Sequence, residues 1–266
     1  MPIPIPLRSL LGVTFALIVT ACGSSGHPAG VEGHEFDRFP VVAPPARAQL
    51  PPPPRTLAVE RRYLHVLFDD AQDVWRQEFR SAFFRYDLAH VVVFAGAIRS
   101  PCGKHDEGSG PFYCPGDTTV YLDTDFFIRF RHAGELDAAA QAYIVGHEVA
   151  HHVQRLVGIA DRVDAATRAH PDEKNQLTTK AELQADCLAG VWARSAFPRS
   201  PLTTADLVKG MEAADAIGDD YDARQSGEYS MDTAAWTHGS SAQRQLWLRT
   251  GFNGGRPTAC NTFDYG

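Results

Sequence analysis

His147 and His151 stand four residues apart with Glu148 directly after the first, and this spacing constrains the middle of the chain more than any other feature. On an α-helix, residues i and i+4 share a face, so both imidazoles can reach one metal ion. Glu148, offset by one residue, lies beside that ion, where it can take a proton from a bound water without occupying a coordination position. The stretch from Asp137 to Leu156 is alanine-rich with apolar residues at helical intervals, which predicts the helix that the pattern needs. With 11 histidines and 11 glutamates in 266 residues, H-E-x-x-H arises by accident in about one chain in fifty of this composition. The competing reading is a solvated helix face with two ordinary histidines, and the Ala/Val/Ile setting counts against it.

A catalytic zinc site uses three protein ligands and keeps a fourth position for water. A second helix, expected over 178–197 and stopped by Pro198, offers Glu182 and Asp186 four residues apart on one face. Glu182 can complete a His-His-Glu set with His147 and His151. Asp186 can accept a hydrogen bond from the non-ligating nitrogen of a bound histidine and so fix its tautomer. A third histidine ligand in an H-E-x-x-H-x-x-G-x-x-H pattern is missing, because 154–161 contains Gly158 but no histidine.

Composition narrows the class. At 44% hydrophobic residues the chain can bury a core of catalytic-domain size, and a formal charge of -7 gives no footprint for nucleic-acid phosphates. Neither a Gly-rich phosphate loop nor a fixed internal repeat is visible. Residues 1–21 read as a lipoprotein signal peptide: Arg8 precedes the apolar run Leu10–Val19, which is too short to span a bilayer, and Val19-Thr20-Ala21-Cys22 resembles a bacterial lipobox. Cys22 is then the lipidated residue, and the protein is expected to be exported and held at the cell envelope. Residues 22–56, rich in Pro, Gly and Ala and ending near Pro51–Pro54, are expected to form a disordered tether. The domain is expected over 57–266.

Four cysteines then remain, Cys102, Cys114, Cys187 and Cys260, an even number in a compartment where disulfides persist. Pairing Cys102 with Cys114 closes a small polar loop and leaves Cys187 and Cys260 as a second bridge, although four cysteines allow three connectivities. The other expected elements are a helix over 60–84, strands over 90–98 and 118–122, and helices over 203–216 and 241–250. The expected fold class is α+β, mainly helical, with a small β-sheet. The 118–122 strand could pair with an extended peptide through its backbone.

At these residues the chain resembles the bacterial neutral zinc metallopeptidases, whose pattern is similar to H-E-x-x-H-H-V-Q followed by E-L-Q-A-D-C-x-A-G-V-W-A. Here His147–Gln154 reads HEVAHHVQ and Glu182–Ala193 reads ELQADCLAGVWA. Similar stretches are Gly110–Pro115, Val120–Asp123, Ile217–Asp220 and Thr237–Arg244; Ala150 and Leu188 depart from the pattern at positions that touch no expected ligand. The resemblance spans about 57–266 and implies a zincin-like peptidase fold with Glu182 as third ligand of one Zn2+ per chain.

The expected activity is therefore hydrolysis of a peptide or protein substrate, with Glu148 as general base and His238, ahead of a Ser-capped helix, as a donor to the developing oxyanion. His152 points about 100° away from His151 and is expected to pack or support. Two other readings stand beside it: a non-enzymatic, zinc-stabilised envelope lipoprotein that binds a partner, and a zinc amidase acting on cell-wall peptides.

Overall fold

A computed structural model describes residues 31, 33–39, 49–52, 56–107, 109–132, 138–201, 203, 209–210, 212, 218–220 and 235–264. Helix α1 (Leu57–Ser81) starts where the Thr56 hydroxyl accepts the Val59 N–H and buries a stripe that includes Leu64, Leu67, Phe68, Ala71, Trp75 and Phe79. It ends three residues before the sequence predicts, because Phe83 adopts a left-handed φ of 60°. The strand expected over 90–98 is divided: β1 (His90–Phe94) stops before Gly96, at φ 71°, and the chain resumes in a short hairpin of β2 (Ile98–Ser100) and β3 (Gly103–His105). Strands β4 (Phe112–Cys114) and β5 (Thr119–Asp123) complete a sheet of order β1-β5-β4, with β1 parallel and β4 antiparallel to β5.

This order corrects one expectation. The strand near 118–122 is β5, which is central, buried along its whole length and paired on both sides. Among the described residues it offers no edge to a peptide over Thr119–Tyr121, where both neighbours pair with it.

The helices form the rest. Asp123 Oδ1 accepts the N–H groups of Asp125 and Phe126 and starts α2 (Thr124–His132), which periodicity did not predict. Helix α3 (Ala138–Leu156) is buried along most of its length, and Gly158 at φ 81° turns the chain into α4 (Ile159–Ala169), also unpredicted. Helix α5 (Lys174–Ala196) packs on α3, and α6 (Ser241–Gly254), begun by a Ser240/Gln243 capping box, packs on α5. The last contact is a backbone approach that only glycine permits: a Cβ at Gly251 would lie 1.8 Å from the Cys187 carbonyl oxygen, and one at Gly190 would lie 2.2 Å from that of Leu248. Both expected disulfides are present, Cys102–Cys114 and Cys187–Cys260.

Part of the stretch read as a disordered tether packs on the domain. Val31, Phe36, Phe39 and Leu50 belong to the buried core; Phe39 meets Phe79 and Phe84 through its ring, and Glu35 pairs with Arg162 of α4. The Pro-rich composition hid these few aromatic positions. The signal segment 1–21 and Cys22 lie outside the described residues, as does most of the helix expected over 203–216. Among the described residues no helix is long and apolar enough to cross a membrane.

Candidate metal centre

Helix α3 supplies His147 and His151, and α5 supplies Glu182 and Asp186 across the α3–α5 contact. The two Nε2 atoms lie 3.1 Å apart. Glu182 Oε2 is 3.0 Å from His147 Nε2, and Oε1 is 3.6 Å from His151 Nε2. Two ligands 2.0–2.1 Å from a tetrahedral zinc stand about 3.3 Å apart, so these separations suit one small cation.

The hydrogen bonds on the far side of each ring decide the chemistry of the donor set. His147 Nδ1 lies 2.8 Å from Asp186 Oδ1, and His151 Nδ1 lies 2.9 Å from Gln154 Oε1. Both partners only accept, so each neutral imidazole carries its proton on Nδ1 and turns the Nε2 lone pair inward. With both rings neutral, two nitrogen lone pairs and a carboxylate converge, an arrangement that a cation fits.

The electrostatics agree. Burial pushes the His147 imidazole down, but Asp186 and Glu182 outweigh it and lift it to about 10. Burial likewise opposes the positive form of His151, and Glu182 lifts it above its ordinary value. Glu182, despite the cost of burial, is held well below the usual carboxylate range by His151 and His147. Glu148, buried beside them, moves the other way: desolvation raises it, against the two histidines. A carboxyl displaced toward neutral pH suits a proton acceptor.

Two groups around Asp186 escaped the sequence reading. Arg244 of α6 donates to it through Nε (2.9 Å to Oδ2) and Nη2 (2.9 Å to Oδ1), and the Tyr143 hydroxyl donates at 2.5 Å. Asp186 is fully buried and, although burial alone would raise it, Arg244 and His147 hold it below its usual range. Tyr143 could have been found as the residue one helical turn before His147; nothing local marks Arg244, whose role depends on how α6 packs.

His152 is buried away from the cleft. Its Nε2 donates to the Asp87 carbonyl at 2.7 Å, its Nδ1 accepts from the Tyr113 hydroxyl at 3.1 Å, and burial lowers its pKa. It supports β4 against α3, in keeping with its angular offset.

The three ligand candidates open into a cleft of roughly 630 Å³ that is also lined by Phe112, Tyr113, Glu148 and His238. Among the described residues β4 pairs only with β5, which leaves its cleft-side edge without a strand partner. His238 sits on a turn gripped by Asp219: Oδ2 accepts the N–H groups of Thr237, His238 and Gly239 at 2.9, 2.6 and 2.8 Å, and Oδ1 lies 3.2 Å from His238 Nδ1. Asp220 accepts from the Ser241 N–H and hydroxyl. The 218–220 and Thr237–Arg244 stretches thus meet in space.

A family model described as "Putative neutral zinc metallopeptidase" matches residues 51–263. The chain is 40% identical over 205 residues to "Uncharacterized protein YpfJ" of Escherichia coli (strain K12), covering 76% of this chain and 71% of that one. It is 38% identical over 193 residues to "Uncharacterized protein Mb2605" of Mycobacterium bovis and to "Uncharacterized protein Rv2575" of Mycobacterium tuberculosis, covering 67% of this chain and 63% of each relative. No solved structure matches the chain. A match spanning most of the sequence, with the H-E-x-x-H helix and its carboxylate partner inside it, makes this chain a member of the putative neutral zinc metallopeptidase family.

Proposed function

We propose that the protein is a zinc-dependent peptide-bond hydrolase of the cell envelope, in which His147, His151 and Glu182 hold the metal. The observation that carries this reading is the convergence of two imidazole nitrogens and a carboxylate oxygen within 4.8 Å of one another in a cleft. A zinc ion held there supplies a Lewis acid that polarises a carbonyl and acidifies a water. Glu148 accepts the proton of the attacking water and passes it to the departing amine nitrogen. His238, oriented through Nδ1 by Asp219, donates in its doubly protonated form from Nε2 to the carbonyl oxygen as negative charge develops on it. An extended substrate adds to the edge of β4 that has no strand partner, where the Tyr113 N–H also donates to Glu148 and so brings the base beside the bound peptide. Export and a lipid anchor at Cys22 account for the signal-like start and agree with two disulfides, which persist outside the reducing cytosol.

The test is hydrolysis of a peptide library and of purified cell-wall peptide fragments by zinc-loaded protein, with Glu148→Gln alongside. Glu148→Gln is expected to keep its zinc while turnover falls by about 10²–10⁴. Undiminished turnover in that variant rejects Glu148 as the base. No cleavage of either substrate set by the wild type rejects the hydrolase in favour of a zinc-stabilised binding protein, and cleavage of cell-wall fragments alone makes it an amidase.

A further inference from the structure

The two glutamines in HEVAHHVQ and ELQADC take no part in the chemistry above, yet both are buried beside the ligands, Gln154 at 2% exposure and Gln184 at 0%. Their hydrogen bonds form a directed chain. His151 Nδ1 donates to Gln154 Oε1 at 2.9 Å, Gln154 Nε2 donates to Gln184 Oε1 at 3.0 Å, and Gln184 Nε2 donates to the Cys260 carbonyl at 3.0 Å. Gln154 Nε2 also donates to the Ala181 carbonyl at 2.7 Å. Reversing the Gln154 amide would set its oxygen against two other oxygens and its NH2 against His151 Nδ1–H. Reversing Gln184 would do the same at Cys260. The direction of the chain is thus imposed from its far end, with the Ala181 carbonyl adding to it at Gln154, and the far end is covalently pinned, because Cys260 is disulfide-bonded to Cys187 one turn along α5 from Gln184.

We propose that Gln154 and Gln184 are positioning residues that carry the orientation of the disulfide-held Cys260 carbonyl to the Nδ1 of His151, and so fix the tautomer in which His151 binds a divalent cation. The inference rests on the metal-site reading, but its test needs no substrate. In buried surroundings an amide chain without a donor–acceptor mismatch resists reversal, since each reversed member leaves polar groups facing like groups at a cost that water cannot relieve. Freed from the chain, Gln154 can turn its NH2 toward His151, which then moves its proton to Nε2 and loses the inward lone pair.

The experiment strips the full-length protein of metal and titrates zinc back against a chromophoric competitor. Gln154→Met is expected to weaken zinc binding by about 10–100-fold, the range for losing the orienting partner of a ligating histidine. Gln184→Met, which touches no ligand, is expected to weaken it by less but measurably, and the double variant is expected to match Gln154→Met alone. Unfolding curves of the metal-free variants provide the control: a merely structural role lowers metal-free stability and leaves affinity in the folded fraction unchanged. Wild-type affinity in folded Gln184→Met overturns the relay, as does a double variant whose losses multiply. If the methionine variants do not fold, histidine nitrogen NMR of zinc-loaded wild type decides. A His151 Nδ1–H that exchanges slowly with water supports the relay, and one that exchanges freely overturns it. Hydrolysis can fail while affinity responds as stated, or the reverse, so the two readings fall separately.

Discussion

The two histidines of the H-E-x-x-H helix are held by arms of different physics. Behind His147 stands an ion pair: Asp186, fully buried, takes two N–H groups from Arg244 and a hydroxyl from Tyr143 while accepting from the ring. Behind His151 stands a neutral chain of amides ending on a backbone carbonyl. Both fix the proton on Nδ1, but only the charged arm also places negative charge against the ring and raises its affinity for a cation or a proton. Orientation and basicity are therefore separable in this site, and they are assigned to different ligands.

The charged arm should break most expensively. Asp186→Ala strands the Arg244 guanidinium, only 2% exposed, without its carboxylate, and removing one member of a buried pair costs about 3–5 kcal/mol. Denaturant unfolding of the metal-free protein should show that loss, and zinc competition should show weakened binding. Arg244→Met should destabilise by a comparable amount, because it leaves a buried carboxylate with its strongest donors removed. If Asp186→Ala costs no more than Gln154→Met in both assays, the two arms are equivalent and the distinction between them is wrong.

This division also explains what could be read from the chain beforehand. His147, His151, Glu182 and Asp186 were legible because each pair lies four residues apart on a helix, and a carboxylate pair beside apolar residues is a local anomaly. Gln154 and Gln184 lie in the same motifs but look like ordinary polar positions, since an amide's role depends on which way a neighbour turns it. Arg244 and Asp219 were illegible for a different reason: their partners lie 58 residues away for Arg244–Asp186 and 19 for Asp219–His238, and only packing joins them. The short α2 and α4 were missed because their starts, the Asp123 cap and the left-handed Gly158, are single-residue signals. Phe36 and Phe39 were hidden by the proline-rich composition around them.

The charged arm should also show itself in pH dependence once the metal is removed. In the metal-free protein Asp186 and Glu182, against the effect of burial, raise the His147 imidazole from its ordinary 6.5 to about 10. The folded state thus binds this proton more tightly than the unfolded chain does. Its contribution to stability is complete below pH 6.5 and is lost as pH rises through about 10. Glu182 and Asp186, both held below their usual range, contribute on the acid side, and that stability is lost as pH falls through their lowered values. Metal-free protein should therefore lose thermal stability from pH 6.5 to 10, while zinc-loaded protein, in which the cation replaces the proton, should change much less over the same window. A parallel decline in both forms would show that the slope comes from groups elsewhere.

The smallest effect is expected at the join between orientation and charge. Tyr143 contributes one hydroxyl to Asp186 Oδ1, the same oxygen that accepts from His147 Nδ1 and Arg244 Nη2. Burial keeps the phenol protonated by pushing its pKa well above the ordinary value, so the hydroxyl remains a donor at every pH at which the protein folds. Tyr143→Phe removes that donor, together with the oxygen that accepts from Arg244 Nη2 at 3.1 Å, and leaves the ring packing and both charges in place. The hydroxyl makes two hydrogen bonds to charged groups, each worth about 1.5–3 kcal/mol, and the loss should still lie below that of Asp186→Ala, which removes the ion pair itself. Because Asp186 then has one donor fewer, its negative charge is less offset and attracts the His147 ring more strongly. Stability should fall while zinc affinity holds or rises slightly, an opposition that a neutral arm cannot produce. If zinc affinity falls in step with stability, Tyr143 serves the shape of the site and not its charge.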